Sequence, residues 1–135
     1  MKKPRKLKIV FAVTVICILA VLKFWKIDSE DLIGKYHAEL SSGSSEELVL
    51  LSNGNCHQEI VIYDAKYEAS GTWRYDEQAK RLYIKGIRYA LTPTGQLSTD
   101  LANQSLDSTL GTEASRTIFG QLRIMLSEDI DYKKE

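Results

Sequence analysis

The chain opens with an apolar run, and its pattern changes after that run. Residues 9–22 hold no charged side chain over 14 positions, and Lys or Arg stands on both sides. About 20 apolar residues are needed to cross a bilayer. Flanking residues can lengthen a shorter run, because lysine side chains reach the interface. We therefore predict a single N-terminal transmembrane helix within residues 1–27.

Two other interpretations of this run fit the sequence less well. A cleaved signal peptide needs a small-residue cleavage site, and residues 20–26 carry no Ala-x-Ala pattern. A lipoprotein signal needs small residues before its cysteine, but Cys17 follows Val15 and Ile16. The run is thus interpreted as an uncleaved signal anchor.

The flanking cations predict an orientation. Five Lys or Arg residues precede the run and two follow it. The positive-inside rule then keeps the N-terminus in the cytoplasm and exports the rest. The predicted localisation is the bacterial inner (cytoplasmic) membrane, with a single pass and a periplasmic or other extracytoplasmic C-terminal domain.

From residue 28 onward, apolar positions recur at the period of β-strands. Strand-like segments are separated by turns rich in Gly, Asn, Asp and Ser, as expected of an antiparallel meander. These segments are 32–40, 47–52, 55–63, 67–75 and 81–91. Asn53-Gly54 predicts a type I′ hairpin. In 67–75, alternation places Tyr67, Ala69, Gly71, Trp73 and Tyr75 on one face.

In the last third of the chain, the strand-like alternation of apolar and polar positions is weaker. Residues 92–115 are rich in Ser, Thr, Gly, Asn and Gln, which predicts a long loop that either holds a short helix near 99–106 or forms a mobile flap. Residues 116–127 predict one closing strand, and the charged tail is expected to fray after Tyr132.

The predicted fold class is therefore mainly β. An N-terminal single transmembrane helix (1–27) is followed by a small antiparallel β-meander or barrel-like domain (28–135), with the long loop at 92–115.

The overall charge of zero hides an uneven distribution. Residues 1–27 carry seven Lys or Arg and no acid, whereas residues 28–135 carry 11 Lys or Arg and 18 Asp or Glu, giving 11 − 18 = −7. A domain this acidic argues against nucleic-acid binding, which needs a positive surface. It also predicts that a protein partner is basic, because complementary charge speeds association.

The sequence offers few candidate residues for catalysis or metal binding. Cys56 and His57 are neighbours on a strand, so their side chains point to opposite faces and would not chelate one ion. Cys56 and His37 could form a nucleophilic pair between strands, but no third group to orient the histidine is indicated; a buried thiol is the simpler interpretation. No phosphate-binding loop or serine-hydrolase motif occurs. We predict no enzyme activity, no cofactor and no metal site.

Exposed acids and tyrosines are the candidate binding residues. Two acidic pairs lie at predicted turns, and two tyrosines are placed on or near the outer face of the strands, where tyrosine is common in interfaces. The predicted partner-binding residues are Tyr83, Tyr89, Glu46, Glu47, Asp76 and Glu77.

Several short motifs resemble a known group of domains. They are Gly34-x-Tyr36, Asn53-Gly54, Gly71-Thr72-Trp73 and Asp129-x-Asp131-Tyr132-x-Lys134. In this order they resemble small lipocalin-like β-meander domains of exported, membrane-anchored bacterial proteins. The resemblance implies the architecture and assigns no functional residue.

Two functions remain in competition. The first is a membrane-tethered, extracytoplasmic protein-binding module, for example an immunity or inhibitor protein. The alternative is a lipocalin-like binder of a small ligand at the membrane surface, gated by residues 92–115.

Overall fold

A computed structural model describes residues 5–40, 43–92, 95–127 and 130–135. Its single α-helix within those residues is α1 (Arg5–Trp25), followed by a short 3₁₀ turn (Ser29–Leu32). The strands of the described residues are β1 (Gly34–Glu39), β2 (Ser45–Leu50), β3 (Asn55–Ile62), β4 (Ala65–Asp76), β5 (Arg81–Lys85), β6 (Thr109–Arg116), β7 (Leu122–Ser127) and β8 (Ile130–Lys134).

These strands form a closed antiparallel barrel. Each strand pairs with the next one in the chain, and β8 pairs with β1 through Tyr36↔Lys134 and His37↔Lys133. Closure leaves no unpaired sheet edge that could recruit another chain. The prediction of a mainly β, antiparallel, barrel-like domain is confirmed, and the barrel is compatible with the architecture that the lipocalin-like resemblance implied. Asp129, one residue of that resemblance, lies outside the described residues.

The prediction of an N-terminal transmembrane helix is wrong. No helix in the described part of the chain is both long enough and apolar enough to cross a membrane. The physical reason lies in the length of the apolar run. Its 14 residues cover roughly 21 Å of helix at 1.5 Å per residue, whereas a bilayer core is about 30 Å thick. Residues 1–4 of the predicted anchor lie outside the described residues.

The interior of the barrel is packed with side chains. The predicted alternation along β4 is confirmed, since Tyr67, Trp73 and Tyr75 pack against the core and Glu68 and Arg74 face solvent. Core residues that are fully buried include Tyr36, Tyr132, Leu32, Leu48, Leu50, Ile60, Leu82, Ile84 and Ile124. An eight-stranded barrel is narrow enough for such side chains to fill it.

The two ends of the barrel differ. At the helix end lie α1, the 3₁₀ turn and the hairpin turns 51–54, 77–80 and 117–121. At the loop end, the long β5–β6 connection (86–108) crosses over the barrel. Gln58 fixes this connection from inside, because its Oε1 accepts from the Arg88 amide (2.7 Å) and its Nε2 donates to the Arg88 carbonyl (2.9 Å).

Four local predictions need correction. The Asn53-Gly54 hairpin is present, but Gly54 alone of the pair has a positive φ (81°), so the turn is not type I′. Residues 109–116 form β6, so the predicted loop at 92–115 is shorter, with a 3₁₀ turn at Leu101–Asn103 inside it. The predicted closing strand 116–127 is instead a hairpin turn followed by β7. The tail does not fray after Tyr132, because Lys133 and Lys134 pair with β1 and the Glu135 amide donates to the Lys35 carbonyl (2.9 Å).

Candidate functional site

The turn between β6 and β7 carries an exposed apolar tip. Ile118 is 80 % exposed and Phe119 is 91 % exposed, the highest values among the large apolar side chains of the described residues. Scattered single exposed apolar residues are normal in monomeric proteins, but here two adjacent ones share one turn. We call residues 117–120 the hairpin tip.

Hydrogen bonds hold the hairpin tip in one shape. The Gly120 amide donates to the Thr117 carbonyl (2.8 Å), and the Thr117 amide donates to the Gln121 carbonyl (2.9 Å). Gly120 takes a φ of +82°, which glycine adopts without a Cβ clash. Gln121 Nε2 also donates to the Lys134 carbonyl (3.1 Å), so the tip is tied to β8. A turn fixed in this way loses little conformational entropy on binding.

A cleft of about 430 Å³ lies beside the base of the tip, between the C-terminal part of α1 and the barrel. Apolar lining comes from Leu22, Trp25, Ile27, Tyr75 and Ala114, and charged or polar lining comes from Lys26, Glu77, Lys80, Ser115 and Arg116. Its volume and its mixture of apolar floor and polar rim fall within the range of small-molecule sites.

Ion pairs connect α1 and the 3₁₀ turn to the barrel around this cleft. Lys26 Nζ lies 2.9 Å from a carboxylate oxygen of Asp28 and 4.0 Å from one of Glu77. Arg116, largely buried at the base of the hairpin tip, lies 3.0 Å from the Asp31 carboxylate. These contacts fix the cleft walls, although exposed ion pairs such as those of Lys26 stabilise the fold only weakly.

Helix α1 adds a second apolar surface at the same end of the barrel. Its large apolar side chains between Ile9 and Leu22 are solvent-exposed, as is Trp25. An apolar helix normally packs against other apolar groups. Together with the hairpin tip, this surface places most of the exposed large apolar side chains of the described residues at the helix end.

The six predicted binding residues do not form one surface. Tyr83 lies on the outer face of β5, with the Arg74 guanidinium 4.1 Å above its ring. Glu47 lies on the outer face of β2, 2.7 Å from Lys35 Nζ. Tyr89 lies in the β5–β6 connection at the loop end. Two of the six stand at the helix end: Asp76, which accepts the amides of Gln78 and Ala79 in the turn, and Glu77, on the rim of the cleft.

The predicted placement of Glu46 at an exposed turn is wrong. Glu46 belongs to β2 and is 1 % exposed, with its carboxylate inside the barrel. Tyr132 Oη and Gln58 Nε2 both donate to its Oε1, whereas Oε2 has no partner among the described residues. Burial raises the pKa of Glu46 to about 7, and the two donated hydrogen bonds lower it by less.

The nucleophilic pair considered from the sequence is absent from the described residues. Cys56 lies in the core, whereas His37 is on the outer face of β1, and β2 separates their strands. Burial raises the pKa of the Cys56 thiol, which makes it a poorer nucleophile. The expectation that Cys56 is buried is confirmed.

Sequence reasoning missed the hairpin tip, which was assigned to a strand. Residues 117–120 include Ile118 and Phe119, which are strong strand formers. Two adjacent apolar residues do not distinguish a strand from an apolar turn. Gly120 was the available signal, since glycine at a positive φ is typical of three- to five-residue hairpin turns. Comparison with known protein families, curated proteins and solved structures finds no match to this chain.

Proposed function

We propose that this protein is a protein-binding module, and that it binds its partner through the helix end of the barrel. The observation that supports this function best is the hairpin tip, a rigid turn that exposes Ile118 and Phe119 almost completely. Burying an apolar side chain of this size contributes about 2 kcal/mol. A turn that already has its bound conformation loses little conformational entropy on binding, as inhibitor loops do. Most of the free energy of burial is therefore retained.

The chemistry of the partner follows from charge and from the tip. Residues 28–135 carry 11 basic and 18 acidic side chains, so 11 − 18 gives a net charge of −7. The partner is therefore a basic protein with an apolar pocket that receives Phe119. An immunity or inhibitor protein, which blocks a toxin or an enzyme by inserting a loop, is the specific form of this proposal.

The proposed location is outside the cytoplasm. The basic residues at the N-terminus and the apolar run 9–22 resemble the first two parts of an export signal, which lacks only its cleavage site here. A fusion of a periplasm-dependent reporter enzyme to the C-terminus tests this point. Activity comparable to that of an exported control supports export, and inactivity of a stably produced fusion contradicts it.

Co-purification tests the proposed binding function. The double variant Ile118→Ser/Phe119→Ser is compared with the wild-type chain and with Tyr63→Ser. Tyr63 is 68 % exposed at a turn of the opposite barrel end, so it controls for loss of an exposed aromatic. We expect the double variant to lose partner recovery by more than about tenfold and Tyr63→Ser to retain it. Equal recovery by all three proteins contradicts the proposal.

A second candidate function is binding of a small amphipathic anion in the cleft. It is favoured by the apolar part of the lining and by its charge, because the three cations Lys26, Lys80 and Arg116 outnumber the one carboxylate, Glu77. The site differs from the interior cavity expected of a lipocalin-like binder, because the barrel interior is packed with side chains. Titration with a fluorescent fatty-acid analogue tests it: binding that Tyr75→Ala weakens supports this function, and binding unaffected by Tyr75→Ala opposes it.

A further inference from the structure

The outer face of β3 and β4 brings three metal-ligating side chains together, far from the hairpin tip in sequence. They are His57, Glu59 and Glu68, and their ligand atoms all lie within 4.8 Å of one another. His57 and Glu59 are two positions apart on β3, so they share the outer face, and Glu68 is the cross-strand partner of Glu59. Paired strands of a closed barrel hold these positions rigidly.

A neighbouring hydroxyl orients the histidine. His57 Nδ1 lies 3.2 Å from Ser70 Oγ, and Ser70 is the cross-strand partner of His57. When Nδ1–H donates to this hydroxyl, Nε2 carries the lone pair that binds a metal. Metal-ligating histidines commonly have such a partner on the second nitrogen, which fixes the tautomer and the ring.

The charges of the cluster favour a cation. Glu59 and Glu68 face each other directly, and like charges in that arrangement destabilise a sheet. The Lys66 ammonium lies between them, 2.8 Å from Glu59 and 3.2 Å from Glu68. A positive charge therefore already stands beside the two carboxylates, and Lys66 is exposed and long enough to move aside.

We propose that His57, Glu59 and Glu68 bind a divalent transition metal ion, Zn²⁺, on the outside of the barrel. One imidazole and two carboxylates are ligands that Zn²⁺ accepts, and three protein ligands leave a fourth position for water. Ligand atoms around tetrahedral zinc are about 3.4 Å apart for bonds of about 2.1 Å. Small side-chain rotations bring the observed atoms to that spacing.

No metal site was predicted from the sequence, because the adjacent residues Cys56 and His57 point to opposite faces of their strand. The cluster instead uses the i, i+2 neighbour Glu59 and the cross-strand neighbour Glu68. The strand register that places Glu68 opposite Glu59 could not be read from the sequence.

Equilibrium dialysis of the full, untagged chain against ZnCl₂ tests the proposal. We expect one bound Zn²⁺ per chain, and loss of this binding in His57→Ala, Glu59→Gln and Glu68→Gln. Ser70→Ala is expected to weaken binding by about tenfold, the usual effect of losing a group that orients a ligand. His37→Ala removes the other histidine of the chain and should leave binding unchanged.

The Lys66→Gln variant provides a sharper test. Because the ammonium competes with the metal for both carboxylates, its removal should tighten Zn²⁺ binding. Lys85→Gln makes the same charge change on β5, away from the cluster, and should not have that effect. The proposal is overturned if the wild-type chain binds no Zn²⁺, if His57→Ala binds it as well as the wild type does, or if Lys66→Gln and Lys85→Gln behave alike.

Discussion

At the residue scale, Glu46 stands out because it is an ionisable side chain buried inside the barrel. Ionising a carboxyl group inside a packed barrel is costly, and the two hydrogen bonds donated to Glu46 offset that cost in part. Sequence reasoning placed Glu46 at a turn because residues 47–52 form a nearly continuous apolar run. Such a run does not reveal which alternate positions face inward. The inward positions of β2 are those of Glu46, Leu48 and Leu50. Which alternate positions face inward is determined by the pairing of β2 with β1 and β3.

The raised pKa of Glu46 predicts a pH-dependent stability. The folded chain holds this proton up to about pH 7, whereas an unfolded glutamate releases it near pH 4.3. Stability from the neutral carboxyl is therefore fully present below pH 4 and is lost as the pH rises to about 7. Glu46→Gln should unfold at the same urea concentration as the wild type near pH 4, and should be more stable by on the order of 3 kcal/mol at pH 8.

Urea denaturation of both proteins between pH 4 and pH 8 measures this difference. Glu39→Gln removes an exposed carboxyl on β1 and serves as the control for loss of charge. Curves of wild type and Glu46→Gln that stay parallel across this range would show that Glu46 does not titrate in the folded barrel as described.

Gly71 is a second residue with a specific packing role. A Cβ built on Gly71 would lie 1.8 Å from the Lys85 carbonyl oxygen, and Gly86 contacts Gly71 directly with a φ of +88°. This close approach lets the β5–β6 connection turn over the barrel.

We expect Gly71→Ala to destabilise the fold by about 3 kcal/mol, because the obstacle is backbone that must shift. Gly111→Ala is the matched control on β6, where the Cβ would meet only side-chain ring atoms of Tyr83, the nearest at 3.3 Å. Thermal unfolding of the two variants measures the effect, and equal melting temperatures would contradict this role of Gly71.

At the element scale, strands with strong alternation could be predicted and weakly apolar ones could not. The faces of β4 were assigned correctly because its apolar and polar positions alternate along the strand. Strand β6 was not predicted, because the polar Thr112 occupies one of its inward positions and Gly111 one of its outward positions. These residues break the alternation of apolar and polar side chains. Strand β8 was missed because charged residues alternate with Ile130 and Tyr132, and only pairing with β1 makes this segment a strand.

The β5–β6 connection depends on Gln104, which substitutes for a strand partner. Its Oε1 accepts from the Tyr89 amide (2.8 Å), and its Nε2 donates to the Tyr89 carbonyl (2.9 Å). Gln104→Leu leaves both backbone groups unpaired, which should lower the local opening free energy by about 1–3 kcal/mol.

Hydrogen exchange of the Tyr89 amide detects this change. Gln96→Leu alters an exposed glutamine of the same connection and should leave exchange at Tyr89 unchanged. Unaltered protection of Tyr89 in Gln104→Leu would mean that other contacts hold the connection in place.

At the scale of the whole molecule, the β5–β6 connection covers one end of the barrel, and the other end carries most of the exposed large apolar side chains. Polar side chains bind the β5–β6 connection over the loop end, whereas α1 and the hairpin tip expose apolar surface at the helix end. The sequence predicted a barrel-like domain, because turns recur between alternating strands. It did not predict the location of the proposed binding surface, since that location depends on which turns the closed barrel brings to the same end.

Site-specific photo-crosslinking tests the binding surface most directly. A photoreactive phenylalanine analogue replaces Phe119 in one protein and Tyr63 in the other, and both are illuminated in intact cells. We expect a single protein adduct from position 119, lost when Ile118→Ser is added, and no such adduct from position 63. Equal adducts at both positions, or none at position 119 while position 63 reacts, would contradict binding through the hairpin tip.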